Sequence, residues 1–149
     1  MSLSNAVGGV CYGSIYQPSF PGSGGGASYA GSGGNGGGLV QITAGDEVEI
    51  DGVISANGGN ATHPRAGGGS GGGIWISAPS VSGAGSITAN GGSGAPDYGG
   101  GGGGGRIAIV CGTNNFAGTM SAYGGGGAVR KDLARCTTAS GGEASHAAA

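Results

Sequence analysis

Residues 71–92 read GGGIWISAPSVSGAGSITANGG, and this stretch has a near copy on each side. Residues 36–59 read GGGLVQITAGDEVEIDGVISANGG, and residues 103–125 read GGGRIAIVCGTNNFAGTMSAYGG. Self-similarity at a fixed period of roughly 20 to 50 residues is typical of repeat proteins, in which one unit buries its apolar face only against its neighbours. We call these three segments the first, second and third units, in chain order, and predict that they are the units of the fold.

The spacing of equivalent residues predicts how the units align. The segments of the form I/M-S/T-A-N/Y-G-G begin at Ile54, Ile87 and Met120, which are equally spaced along the chain. The V/I-x-I pairs that open the units keep the same spacing, except that the first interval is one residue longer than the second. Apolar and polar residues alternate in these segments as in half-buried strands. We therefore predict an inward-facing ladder formed by Val40, Ile42, Ile54, Ile74, Ile76, Ile87, Ile107, Ile109 and Met120.

The pattern predicts an all-β fold, a β-solenoid or β-helix-like stack of three glycine-rich repeats of about 33 residues. Each unit would contain two or three short strands, and segments such as Asn57-Gly58-Gly59 would supply the positive-φ residues of tight reversals. Trp75 lies off the inward register and is expected on a second face or on an exposed ladder. The alternative fold is a polyglycine II sandwich, in which the glycine runs pack side by side as extended three-fold strands. Flexible linkers have the same composition, so both interpretations of the glycine runs stay open here.

The chain divides into three predicted parts. Residues 1–35 would form an N-terminal cap and a Gly/Ser-rich connection, residues 36–127 the three glycine-rich β repeats, and residues 128–149 a C-terminal tail. Residues 60–70 and 93–102 read as glycine-rich loops of similar length between the units. Such loops line up on one side of a repeat protein, which is where we expect any binding surface.

Composition excludes several classes of protein. The chain has 149 residues, of which 43 are glycine, and its formal net charge is -2. Five Lys and Arg residues make no basic stripe, so nucleic acid is not an expected partner. No apolar run approaches the ~20 residues of a membrane span. The N-terminus lacks the basic start and apolar core of a signal peptide, so the protein is cytoplasmic, or the chain is a piece of a larger exported chain, or its true start lies upstream; the repeats favour the last two.

No arrangement of reactive side chains indicates catalysis. The two histidines, His63 and His146, have no Ser or Cys at a spacing that suggests a nucleophile and base, so we predict no catalytic residues and no enzyme. The acidic cluster of residues 46–51 fits no calcium-loop spacing and is interpreted as a solvated strand face. No Gly-Lys-Ser/Thr follows the glycine runs, so we expect neither a cofactor nor a metal.

Two further features concern covalent chemistry. The odd count of cysteines, Cys11, Cys111 and Cys136, leaves at least one unpaired or intermolecular, and their spacing does not suit a metal. Asn60-Ala61-Thr62 is a glycosylation sequon on a predicted loop. We expect modification of Asn60 only if a eukaryote exports the chain.

The sequence resembles a known family along most of its length. The segments YGSIYQPSFPGSGGG, GGGSGGGIWISAPSVSGAGSITANGG and GGGGGGRIAI resemble, in this order, the glycine-rich repeat of large secreted and cell-surface glycine-rich proteins. A second resemblance is to the glycine-rich adhesin tips of phage tail fibres, in which polyglycine II strands form a sandwich and variable loops bind a host receptor. The alternating β segments distinguish this chain from those tips.

The family resemblance implies an extracellular or cell-surface structural protein without catalytic residues. We therefore expect a structural or adhesive repeat module that self-assembles into a fibre or belongs to a longer repeat array. Its partners would be copies of itself or neighbouring repeats, and surface glycans or a host receptor. The alternative function, implied by the second resemblance, is the receptor-binding tip of a phage or surface fibre.

Overall fold

A computed structural model of the chain describes residues 12–127, which form seven β-strands and no helix. The described part of the protein is therefore all-β, as predicted. The strands are β1 (Leu39–Thr43), β2 (Glu47–Glu49) and β3 (Val53–Ser55) in the first unit, β4 (Gly73–Gly83) and β5 (Ser86–Thr88) in the second, and β6 (Arg106–Phe116) and β7 (Thr119–Ser121) in the third. The predicted C-terminal tail, His146, Cys11 and Cys136 lie outside these residues. Within residues 12–127 no helix is long and apolar enough to cross a membrane.

The strands form two sheets in which all strand pairs are parallel. In the four-stranded sheet, β4 pairs with β1 and β2 along one edge and with β6 along the other. The three-stranded sheet has the order β3-β5-β7. Each strand thus pairs with the equivalent strand of the neighbouring unit, and Ile54, Ile87 and Met120 occupy paired positions in the second sheet.

The longer first interval between the V/I-x-I pairs has a local cause. Leu39 pairs with Gly73, whereas Glu47 pairs with Ser80, so the offset between paired residues falls by one from β1 to β2. The first unit therefore has one extra residue between β1 and β2, at positions 44–46, where β4 runs on without a break. The backbone N–H of Ala44 still donates to the carbonyl of Ser77, at 2.9 Å, so the pairing offset changes only after this bond.

The apolar core is centred on the second unit. Ile74, Ile76, Val81 and Ile87 are fully buried because units lie on both sides of them. Most other ladder positions are either buried, as Ile107 is, or half-buried against this core; the half-buried members are Val40, Ile42, Ile54 and Ile109.

Met120 differs from the inward ladder position that the spacing predicts. It pairs with Ile87, yet its side chain is 41% exposed and lies outside the core cluster. Met120 lies on β7, at the outer edge of the three-stranded sheet, and this edge is less covered than the large sheet, where Ile107 of the same unit is buried.

The opposite face of the large sheet carries Trp75 and the N-terminal segment. Trp75 pairs with Gln41 and Ala108 and is half-buried. The buried Pro18 lies against Gly73, and its carbonyl accepts a hydrogen bond from the Gln41 Nε2 amide at 3.4 Å.

The same N-terminal segment also reaches the third unit. The Arg106 guanidinium donates hydrogen bonds to the carbonyls of Tyr12 and Phe20, and it lies over the Tyr12 ring. The sequence predicts a cap at one end of the repeats. Instead, residues 12–20 contact strands of all three units, because they run across the starts of β1, β4 and β6.

The glycine runs are ordered by backbone hydrogen bonds. Residues 67–72 donate in rotation to three neighbouring segments: Gly67 and Ser70 to residues 26 and 23, Gly68 and Gly71 to residues 100 and 103, and Gly69 and Gly72 to residues 59 and 56. These six bonds measure 2.7–2.9 Å. Every third residue therefore faces the same neighbour, which requires an extended segment with three residues per turn. We call the segments joined in this way the glycine layer; they are residues 22–26, 34–37, 56–60, 66–72, 89–94, 99–105 and 122–127.

Two sequence predictions fail in the glycine layer. Asn57, Gly58 and Gly59 do not form a positive-φ reversal; Gly58 and Gly59 donate instead to the carbonyls of Asn90 and Asn35, both at 2.7 Å. Residues 60–70 and 93–102 are not loops throughout, since large parts of both belong to the layer. Close backbone approach explains this: a Cβ at Gly69 would lie 1.9 Å from the carbonyl oxygen of Asn35.

Candidate functional site

Three turns meet at one end of the glycine layer. In the first turn, Ser28 and Gly31 exchange backbone hydrogen bonds of 2.9 and 3.3 Å, with Tyr29 at the tip. The second turn is closed by a bond of 3.1 Å from the Ala66 N–H to the His63 carbonyl. The third turn is closed by a bond of 3.2 Å from the N–H of residue 99 to the carbonyl of residue 95. We call the surface formed by residues 28–31, 62–66 and 95–99 the turn cluster.

Backbone hydrogen bonds join the three turns to one another. The N–H of Gly67, directly after the second turn, donates to the carbonyl of Gly26, before the first, at 2.9 Å. The N–H of Ala95 in the third turn donates to the carbonyl of Ala66 in the second, at 3.0 Å. Ala66, Ala95 and Gly99 are buried and form the base of the cluster. The exposed side chains above them are therefore held on a hydrogen-bonded platform.

A cation close to two aromatic rings is the main chemical feature of the turn cluster. The guanidinium carbon of Arg65 lies 5.4 Å from the ring centroid of Tyr29 and 6.0 Å from that of Tyr98. Both distances are within the range of cation–π attraction. Tyr29 is 82% exposed and Tyr98 is 74% exposed. Each ring thus faces the guanidinium with part of its surface and presents the rest to solvent.

His63, in the second turn of the cluster, contacts the backbone of the first turn. A Cβ added at Gly31 would lie 2.5 Å from the His63 ring, so the imidazole rests directly on the backbone of the first turn. The φ of Gly31 is +153°, a value that side-chain-bearing residues rarely adopt. Thr62 Oγ1 lies 3.2 Å from His63 Nδ1. These contacts fix the first turn against the second.

The backbone of the turn cluster is unusual. Three non-glycine residues have positive φ among residues 12–127: Arg65 at 65°, Asp97 at 62° and Tyr98 at 81°. All three lie in the turn cluster. Positive φ is uncommon for any L-residue and a marked outlier for a bulky one such as Tyr98, and such strain tends to occur at functional sites. Arg65 and Tyr98 are also separated by the same interval as Ile54 and Ile87, so they occupy equivalent positions in successive units.

Asparagine side chains link the units within the glycine layer. Asn57 Oδ1 accepts the N–H of Asn90 at 2.7 Å, and Asn90 Oδ1 accepts the N–H of Tyr123 at 2.8 Å. Asn60 Oδ1 accepts the N–H of Ser93, also at 2.7 Å. The side-chain amide oxygen of Asn60, the predicted glycosylation site, thus helps to align neighbouring units, and Asn60 is exposed.

The other predicted site features are scattered. Asp51 Oδ1 accepts the backbone N–H of Ala84 at 3.0 Å, while Glu47 and Glu49 are exposed on β2. Cys111 is half-buried and pairs with Ala78 in the large sheet. Among residues 12–127 no group of three or more His, Cys, Asp or Glu side chains is placed to hold a metal ion.

The sequence pattern does not single out Tyr29, Arg65 and Tyr98 as functional residues. Tyr29 is distant in sequence from the other two, and it reaches them only because residues 22–26 and 34–37 belong to the glycine layer. One signal was available: Arg65 and Tyr98 are the large side chains at equivalent positions of the two inter-unit segments.

No protein-family model, curated protein or solved structure matches this chain.

Proposed function

We propose that this protein is an extracellular structural or adhesive repeat module, without enzymatic activity. In this proposal the strands of the successive units form β-solenoid-like turns, and the glycine layer is a polyglycine II bundle. The units continue into a longer repeat array or self-assemble into a fibre. Neighbouring repeats or further copies of the chain are the partners.

The observation that carries the proposal is the repeated parallel pairing with a constant shift. The same shift along the sequence relates β4 to β6, β5 to β7 and β3 to β5. In the described part of the chain, β6 and β7 pair on one side only. Alternate residues of a parallel strand direct their N–H and C=O groups to opposite sides, so half of these groups face the unpaired edge. Such an edge is a template for a further strand.

The two outer edges differ, which favours head-to-tail rather than face-to-face contact. Exposed Glu47 and Glu49 lie on β2 at the first edge, and Asp46 precedes them. At the other edge, the exposed residues of β6 include Thr113, Asn114 and Asn115, which carry no charge. Two copies meeting through the first edge would oppose like charges. Contact between unlike edges is heterologous and extends into a filament unless the rotation closes a ring.

Duplication of the central unit tests the proposal. We would insert a second copy of residues 73–105, which span one full repeat interval, directly after Gly105. If the units form a repeat array, the longer chain should fold and gain stability from one more interface. Its Tm should rise by more than about 3 °C, the shift that ~1 kcal/mol produces in a domain of this size.

A matched control carries the same insertion, but the inserted copy lacks the residue that corresponds to Trp75. Loss of one residue within a strand turns every later side chain of that strand to the other face. The control should therefore melt below the full-length insertion and below the parent chain. Equal melting of both insertions would contradict the repeat register.

Sedimentation velocity over a range of concentrations then separates the two forms of the proposal. A fibre-forming chain associates as its concentration is raised, whereas an array module stays monomeric.

The turn cluster favours a second candidate function, the receptor-binding tip of a phage or surface fibre. Its exposed tyrosines and arginine are the residue types most enriched at binding hot spots. They stand on a platform held by backbone hydrogen bonds, as a recognition site requires. Combined replacement of Tyr29, Arg65 and Tyr98 by asparagine, which tolerates positive φ, should then abolish binding to the target surface while Tm stays constant. Unchanged binding would exclude this function.

A further inference from the structure

We infer that the turn cluster binds an anionic saccharide, with Arg65 pairing with the acidic group of the sugar and the rings of Tyr29 and Tyr98 contacting the sugar face. This inference rests on the adhesive part of the proposed function, for which it names the class of ligand.

The position of Arg65 indicates recognition of an anion. A guanidinium presents N–H donors in a planar fork that matches carboxylate and sulfate oxygens, and it keeps its charge at all physiological pH values. Here the group lies 5.4 and 6.0 Å from the centroids of two rings. Cation–π contacts orient the guanidinium before a ligand arrives, which lowers the entropy cost of binding.

The two tyrosines indicate what carries the anion. Their rings are largely exposed, and tyrosine offers a large amphipathic contact surface at low cost in conformational entropy. The flat C–H face of a sugar ring packs against an aromatic ring, and the sugar hydroxyls remain in water. The cluster also carries Thr62, the half-buried His63 and one exposed carboxylate, Asp97. Its other positions hold small side chains or proline, such as Ala30, Pro64 and Pro96. Both exposed rings are therefore open to contact with a segment of a polysaccharide.

The strained backbone supports the same assignment. Arg65 and Tyr98, which flank the proposed contact, both have positive φ. Neither residue type adopts this conformation readily, and asparagine would fit it at lower cost. The large side chains at these two positions therefore strain the backbone locally, and a role in binding explains why they are present.

Affinity electrophoresis with three polymers tests the inference. The gels would contain polygalacturonate, whose acidic groups are carboxylates, dextran sulfate, whose acidic groups are sulfates, or neutral dextran. We expect at least one anionic polymer to retard the protein and neutral dextran to leave its mobility unchanged. The more strongly retarding polymer identifies the acidic group. Retardation should weaken as salt is raised, because an ion pair at an exposed site is screened.

Substitutions that keep the backbone conformation locate the site. Arg65→Asn and Tyr98→Asn place a residue that tolerates positive φ at each position. Arg65→Asn should weaken binding about tenfold or more, as loss of a hydrogen bond to a charged group does. Arg65→Lys keeps the charge without the fork and should bind with intermediate affinity. Tyr16→Asn is the matched control, because Tyr16 is an exposed tyrosine of the N-terminal segment and should have no effect.

The outcomes separate this inference from the proposed function. Failure of all three polymers to bind, equal binding of neutral and anionic polymers, or full binding by Arg65→Asn would overturn the inference. The duplication experiment does not depend on any of these results, since it measures only the pairing of the units. Specific loss of binding in Arg65→Asn with unchanged Tm would support the inference.

Discussion

The protein has two parts that are stabilised in different ways: the strand half, formed by β1 to β7, and the glycine half, which is the glycine layer. In the strand half, apolar side chains provide most of the stabilisation: Ile74, Ile76 and Ile87 are fully buried, and their partners in the neighbouring units pack against them. In the glycine half, backbone groups bond to backbone groups of several neighbours, and side chains are few and mostly small. The strand half contains an ordinary apolar core, whereas the close backbone packing of the glycine half leaves no space for large side chains.

This difference changes which substitutions each half tolerates. A core position responds to loss of volume, because a cavity remains. A glycine-layer position responds to gain of volume, because one added carbon meets a backbone carbonyl. The largest effects should therefore come from adding a methyl group to a glycine, and the next largest from removing one side chain in the core.

The neighbours Gly102 and Gly103 provide the strongest test. A Cβ at Gly102 would lie 1.9 Å from the carbonyl oxygen of Gly69, while a Cβ at Gly103 would have no atom within 4 Å. Gly102→Ala should lower the free energy of unfolding by about 3 kcal/mol or more, since the backbone must move and its hydrogen bonds weaken. Urea denaturation measures this change.

Gly103→Ala is the matched control in the same run of glycines. Its φ is not positive, so alanine fits there and reduces the freedom of the unfolded chain. We expect a change within about 0.5 kcal/mol of zero, or stabilisation by up to ~1 kcal/mol. Similar values for both substitutions would show that the glycine layer is not closely packed.

Ile87 and Met120 give the second contrast, within the strand half. Ile87→Ala should cost about 2–4 kcal/mol because the side chain is buried between two units. Met120→Ala should cost no more than about 1 kcal/mol, because this paired side chain is 41% exposed. Thermal denaturation followed by circular dichroism measures both. A larger cost for Met120 would indicate that the third unit is covered by a further part of the protein.

The strand half could be predicted from the sequence because its signal is periodic. Apolar residues recur at a constant interval and alternate within each segment, and the structure pairs Ile54, Ile87 and Met120 as this spacing indicates. The exposure of Met120 could not be predicted, because spacing identifies equivalent positions and not the number of neighbours that cover them.

The glycine half and the turn cluster could not be predicted for a different reason. Asn-Gly-Gly favours a tight turn when only local preference is considered. In this protein, hydrogen bonds to distant segments keep Gly58 and Gly59 extended, and glycine has no side chain with which to mark such contacts in a sequence. Tyr29 and Arg65 meet through these same contacts, so their proximity was hidden as well.

Hydrogen exchange of individual glycine amides, followed by NMR, tests the central claim that the glycine runs form an ordered layer. The N–H groups of Gly69, Gly72, Gly92 and Gly102 donate to backbone carbonyls at 2.7–2.9 Å. We predict that they exchange as slowly as the amide of Ile76 in β4, because opening them requires unfolding of the same structure. Exchange of these glycines at the rate of an unstructured peptide, with Ile76 still protected, would contradict the account and show that the glycine runs are flexible linkers.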